Sequence, residues 1–243
     1  MALKLGVGLG INVGAATEAF SPEDIAGLTL WFDAADESTI TESGGSVSQW
    51  DDKSGGDYHA IQPSGANQMT TGIATQNGRN VLSSTSQSFY IPDTAGFELA
   101  SAETTFFVAY RQDNSIASIF RLSGSNFGFR SRSNGGLQIK NDSGVGNIAM
   151  QVFLDTGNFQ LLIVRVSGSN IDAFLNDETT PAASNVLGTY VNDGPGNHGV
   201  FGVGQTGEPL TGQAGEMLLY TGGLSDTDLQ TVARYLKTKW GIT

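Results

Sequence analysis

The chain has 243 residues, with 24 Asp and Glu against 12 Lys and Arg, a formal net charge of −12 and no cysteine. Disulfide staples are therefore excluded, and the lack of any basic run argues against nucleic-acid backbone binding and against an anionic membrane surface. No stretch reaches the ~18 consecutive apolar residues of a spanning helix, and the length suits one large β-domain with a full core.

Residues 3–13 come first and alternate strictly, which is the strand signature. Leu3, Leu5, Val7, Leu9, Ile11 and Val13 form one row, and Lys4, Gly6, Gly8, Gly10 and Asn12 form the other. A glycine-faced strand has little to pack and loses much entropy on ordering, so it suits the close approach of another backbone. The expectation is an assembly arm over residues 1–20. The apolar row would add as a strand to a partner chain or exchange between copies of this one. Two readings compete with it. One is a first strand in the chain's own sheet. The other is a leader peptide with Lys4 as its charged end, against which four glycines within residues 5–14 make a poor apolar helix.

Ser21-Pro22-Glu23-Asp24 reads as a short helical turn, with Ser21 as N-cap, Pro22 at N1 and Asp24 at N3. Leu28-Thr29-Leu30-Trp31-Phe32 is an apolar strand that ends on Asp33 and Asp36. A turn-rich spacer then leads to Trp50, followed by Asp51-Asp52-Lys53-Ser54-Gly55. Residues 56–80 are rich in Gly, Gln, Asn and Thr and read as a long surface excursion, with one short strand at Tyr58-His59-Ala60-Ile61. Asn77-Gly78 is a tight-turn signal.

Strands are predicted at 81–91, 104–111, 117–122, 127–131, 136–140, 147–154, 159–166, 171–175, 198–203 and 216–220, with turn residues between them. The aromatic and β-branched run Thr104–Tyr110 is the expected central strand. Leu161-Leu162-Ile163-Val164 is continuous rather than alternating, which suits cover on both faces. The strong helix is Asp226–Trp240. Ser225 caps it, Asp228 sits at the third position, and Leu229, Val232, Ala233, Leu236 and Trp240 share one face. Lys237 and Lys239 complement the dipole in the last turn, and Gly241 ends it.

LTLWFDAAD, VSQWDDKSG and the late GEMLLYTGGLSDTDLQTVARYLKTKWGI together resemble the concanavalin A-like, laminin G-like jelly-roll domains, of the kind found in bacteriophage structural proteins. The resemblance runs from Gly27 to the C-terminus. It implies an all-β sandwich of two antiparallel sheets with a C-terminal helix, occupying residues 21–243 beyond the extended arm. It does not imply one function, since members bind glycans, hydrolyse them or only build structure. The expected role is structural rather than enzymatic: a virion protein, in capsid decoration or the tail. Its partners would be other virion proteins or copies of itself, at the surface or tail of a phage particle. The alternative is a carbohydrate-binding module that recognises a host-surface glycan, and a weaker one is a glycan hydrolase.

The candidate sites are few. Trp50 and Tyr58, with Trp31, are the candidate sugar-stacking aromatics, although buried core aromatics read the same way. Asp33, Asp36, Asp51 and Asp52, with Asp57, are weak calcium candidates. Against them stands a turn fixed by a carboxylate that accepts backbone N–H bonds. No cofactor is expected beyond that calcium. Gly202–Gly207 spells GxGxxG, but Glu208-Pro209 follows it where a nucleotide site needs a helix. His59 and His198 lack metal-ligand spacing. Glu98, Glu103, Glu178, Glu208 and Glu216 are scattered rather than paired as glycoside hydrolysis requires.

Overall fold

The computed structural model describes residues 20–97, 103–114, 116–122, 127–140, 148–186, 196–202 and 208–243. The assembly arm expected at Leu3 to Val13 lies outside the described residues.

Two antiparallel sheets face each other. The first runs in the order Leu28–Asp33, Leu210–Thr221, Glu103–Gln112, Phe159–Ser167, Asn170–Leu175, Ala183–Val186. Leu82–Gln87 shares the outer edge of Leu210–Thr221 with the first strand, pairing along residues 210–214 while Leu28–Asp33 takes residues 216–220. The second sheet has nine strands. It runs from Ile148–Phe153 through Gly136–Lys140, Gly128–Ser131, Ser118–Arg121, His198–Val200, Phe89–Ile91, Ala60–Ile61 and Ser46–Trp50 to Ile40–Ser43.

Side-chain alternation sorts the first sheet between two cores. Leu30, Phe32, Phe106, Val108, Tyr110, Leu162, Val164, Met217 and Leu219 point into the sandwich. Trp31, Phe107, Ala109, Leu161, Ile163, Leu218 and Tyr220 point outward, onto the helix. A strand covered on both faces reads as a continuous apolar run, which is why Phe106-Phe107-Val108-Ala109-Tyr110 and Leu161–Val164 do not alternate in polarity.

The helix (α1, Asp226–Trp240) forms as its sequence dictates. The Ser225 hydroxyl accepts the Asp228 N–H at 3.1 Å, Gly241 ends it in the left-handed region at φ 66°, and all five predicted face residues are buried. Its free C-terminal carbonyls are met by a hairpin, Thr75–Gln76 and Arg79–Asn80, turned by Asn77-Gly78 with φ of 49° and 73°. Gln76 donates to the Trp240 carbonyl at 2.8 Å, while Asn77 and Arg79 both donate to that of Lys239 at 3.0 Å. Ser225→Ala removes the side-chain N-cap of this helix and is expected to cost about 1 kcal/mol, read as a shift in the urea midpoint with unchanged slope.

Four expectations need correction. The last strand begins at Leu210, not Glu216. The run 81–91 is two strands that belong to different sheets, divided at Ser88. The strand expected at Tyr58–Ile61 contracts to Ala60–Ile61. Residues 56–80 are more than a surface excursion: Met69 is fully buried, Thr70 bridges Ser46 and Ser83 across the edges of the two sheets, and the hairpin docks on the helix. Polar composition hid these tasks because they are carried by backbone and amide hydrogen bonds.

Candidate functional site

The two tryptophan motifs are pinned to each other. Asp52 accepts the Trp31 N–H at 2.9 Å and the Ser54 N–H at 3.0 Å through Oδ1, and the Tyr58 N–H at 3.2 Å and the Ser54 hydroxyl at 2.8 Å through Oδ2. The Lys53 N–H in turn donates to the Trp31 carbonyl at 2.8 Å. The Asp52–Ser54 turn thus supplies hydrogen-bond partners along the edge of Leu28–Asp33 that no strand occupies. Asp52 is a turn-fixing carboxylate, and the other calcium candidates face elsewhere. Asp51 accepts from Gln49 at 2.7 Å, and Asp33 and Asp36 lie 3.3 Å and 2.7 Å from the Lys53 ammonium. The Lys53 ammonium and the Ser38 hydroxyl hold Asp36 below its ordinary value. Burial pushes Lys53 down, but Asp36 and Asp33 outweigh it, and the net direction is up. Among the described residues no group of three or more His, Asp or Glu side chains is placed to hold a metal ion.

Trp50 is a correction. It is fully buried between Phe32 and Phe89, at ring distances of 5.3 Å and 6.1 Å, and presents no face to a sugar. Tyr58 is half-buried, with its ring against Phe97 at 5.0 Å. His198 is also buried, edge-on to Phe97 at 5.3 Å. His59 Nδ1 accepts the Asp52 N–H at 3.1 Å. Of the GxGxxG stretch only Gly202 is among the described residues; where a nucleotide site needs a helix beyond the motif, Glu208 and Pro209 are irregular and a strand begins at Leu210.

The electrostatic centre of the molecule lies under the helix and was not read from the sequence. Glu216 is fully buried and stands directly across the ladder from Asp33. Two carboxylates in that relation repel. The Lys239 ammonium reaches down from the last turn of α1 and meets both, at 2.7 Å from Asp33 and 2.8 Å from Glu216. Glu216 also accepts the indole N–H groups of Trp31 at 2.8 Å and Trp240 at 2.9 Å and the Tyr235 hydroxyl at 3.1 Å. Burial, then the Asp33 carboxylate, push Glu216 above the usual carboxylate range, while Lys239 and the Trp240 indole pull it back. Burial and Glu216 raise the Tyr235 phenol.

A one-residue irregularity puts Glu216 there. The register of Leu210–Thr221 against Glu103–Gln112 slips between Ala214 and Glu216. Ala214 faces the sandwich core, and so do Met217 and Leu219. In an unbroken strand Glu216 would share the side of Ala214; the bulge at Gly215 sends it to the helix side instead. A side chain at Gly215 would come within 2.9 Å of the Ala109 carbonyl oxygen.

Above this network is an open recess of about 570 Å³ lined by Phe20, Arg79, Thr231, Arg234, Tyr235, Thr238 and Lys239. Tyr235 and Lys239, which also bind Glu216, form its floor. The Phe20 and Tyr235 rings meet edge to face at 5.5 Å, and both are half-buried. Arg79 is set at the rim by its bond to the Lys239 carbonyl. The volume is that of small-molecule sites, and hydrogen-bonding groups around an aromatic wedge suit a polar ring with an apolar face.

No protein-family model matches the chain and no curated protein matches it significantly. Solved structures do. Domain 4 of AbnA, an extracellular arabinanase from Geobacillus stearothermophilus solved with arabinotriose, superposes with a TM-score of 0.61 at 12% identity, over 85% of this chain and 98% of that one. A Trypanosoma rangeli sialidase with the inhibitor DANA gives 0.58 at 10% identity, over 85% of this chain and 32% of that one. The likeness is one of fold. This chain is a β-sandwich of jelly-roll type, and it spans about a third of the length of the sialidase it resembles.

Proposed function

We propose that this chain is a glycan-binding module whose site is the Phe20–Tyr235 recess. The observation that carries the reading is the recess itself: two aromatic rings, Phe20 and Tyr235, left half-open and ringed by two arginines and two threonines. The fold neighbour solved with a bound arabinotriose lends support, as a module of the same architecture and nearly the same length. The virion role expected from the family resemblance has no comparable support, and its docking residues, Leu3 to Val13, lie outside the described residues. Hydrolysis finds no support in the recess either. It needs two accessible carboxylates flanking one bond. No carboxylate lines this recess, and the pair beneath it, Asp33 and Glu216, is buried and bound to Lys239.

The test is retention on an array of oligosaccharides, followed by titration of the best binder. Phe20→Ala removes one wall of the wedge and no hydrogen bond of the Glu216 network. It is expected to weaken binding about tenfold, the equivalent of one lost ring contact of ~1.4 kcal/mol, and a melting curve separates that loss from the packing Phe20 gives up against the helix-side core. Retention of no glycan, or binding indifferent to Phe20→Ala, would sink the reading.

A further inference from the structure

We infer that the ring preferred by this recess carries a carboxylate, so that the ligand is an acidic sugar such as a uronate or a nonulosonate; the inference rests on the glycan-binding reading above.

The argument starts from charge. Cations make up 12 of 243 residues and are outnumbered two to one by acids, so seven residues drawn from this chain would hold fewer than one. The recess lining holds three, Arg79, Arg234 and Lys239, and no acid. These three are not equivalent. Lys239 is already matched by Asp33 and Glu216. Arg234 has Glu178 at 3.5 Å and Gln230 at 3.0 Å, with 60% of its side chain exposed. Arg79 has no carboxylate partner among the described residues; its Nε donates to the Lys239 carbonyl at 3.0 Å, which leaves the two terminal nitrogens to offer. A guanidinium anchored at Nε and open at its end presents the planar fork that takes a carboxylate through two hydrogen bonds.

The placement of Arg79 is built rather than incidental. Its hairpin is locked onto the C-terminus of α1 by Gln76 and Asn77 as well as by Arg79 itself. A neutral sugar would need the aromatic wedge and the hydroxyls of Thr231 and Thr238, but it would leave the fork of Arg79 unused. The negative groups that face the site, Asp33 and Glu216 below the floor and Glu178 beside Arg234, are each held by a cation of this chain. An incoming carboxylate therefore meets the uncompensated charge of Arg79 first.

The experiment compares matched acidic and neutral oligosaccharides by calorimetric titration of the full chain. One arm sets a galacturonate oligomer against its galactose counterpart. The other sets sialyllactose against lactose. The two arms tell uronate from nonulosonate. At least one acidic ligand is expected to bind tenfold or more tightly than its neutral counterpart, with the ratio falling toward one in Arg79→Met and partly restored in Arg79→Lys. A melting curve for each variant separates loss of recognition from loss of fold. Equal binding of acidic and neutral sugars, or an acidic preference that survives Arg79→Met, overturns the inference while the glycan-binding reading stands. Binding of no sugar in either arm overturns both.

Discussion

Lys239→Met is expected to lower the free energy of unfolding by about 3–5 kcal/mol, the usual consequence of removing one partner from a buried ionic group. The side chain of Lys239 is 11% exposed, and it bonds the fully buried Glu216 and the 7%-exposed side chain of Asp33. Methionine fills much of the space but leaves the two carboxylates facing each other across neighbouring strands, Glu216 with no cation and Asp33 with Lys53 alone at 3.3 Å. At roughly 2–4 °C per kcal/mol for a chain of this size, the melting temperature is expected to fall by about 10 °C. Adding Asp33→Asn to Lys239→Met removes the repulsion and should recover part of the loss. The pH dependence has a definite sign. Glu216 titrates above its ordinary 4.5 in the folded chain, because of burial first and Asp33 second. The folded state therefore holds that proton to higher pH than the unfolded state. This group's contribution is intact below the ordinary value and declines as pH rises through the window above it. Loss of Lys239 raises the folded value further, so the deficit of Lys239→Met should be smaller at acidic than at neutral pH. Chemical denaturation at both conditions decides it: a deficit under about 1 kcal/mol, the range of exposed ion pairs, would mean that water already screens the cluster.

The parts of the fold that follow from local chemistry were legible. Ser225, the five apolar face residues and Gly241 define α1 at both ends, and the continuous run Leu161–Val164 announced a strand covered on both faces. What escaped was what only the third dimension assembles. Asp33, Glu216, Tyr235, Lys239 and Trp240 come from two strands and a helix, and no spacing joins them. Glu216 looked like one of several scattered acids because its orientation depends on the bulge at Gly215. A lone glycine inside an apolar strand pattern was the available signal for that irregularity. The recess escaped for the same reason: Phe20, Arg79 and Tyr235 lie in three separate stretches of the chain. Of the aromatic residues that the sequence offered for sugar stacking, Trp31 and Trp50 are claimed by the core, while Tyr58 is half-buried against Phe97.

Asp52→Ala separates the two readings that the motif Trp50-Asp51-Asp52-Lys53-Ser54 allows. If Asp52 fixes a turn, its loss strands the Trp31 N–H inside the protein and frees the Ser54 and Tyr58 N–H groups at once. A buried donor without a partner costs about 1–3 kcal/mol, and more when its partner was charged, so a total near 3 kcal/mol is expected. Because the Asp52–Ser54 turn is also what covers the free edge of Leu28–Asp33, the loss should show first as faster amide exchange at Trp31 and Lys53, ahead of global unfolding. Asp52→Asn keeps one acceptor oxygen for the Trp31 and Ser54 N–H groups and should lose less than alanine. Calcium offers the contrast. A metal that binds only the folded chain raises its melting temperature with concentration, and removal of a ligand abolishes that response. On the turn reading the wild-type curve is the same in calcium and in chelator, and the cost of Asp52→Ala is identical in both. A calcium-dependent rise in the wild type that Asp52→Ala erases would instead restore the metal reading, and would require Asp33, Asp36 or Asp51 to abandon the partners that hold them apart.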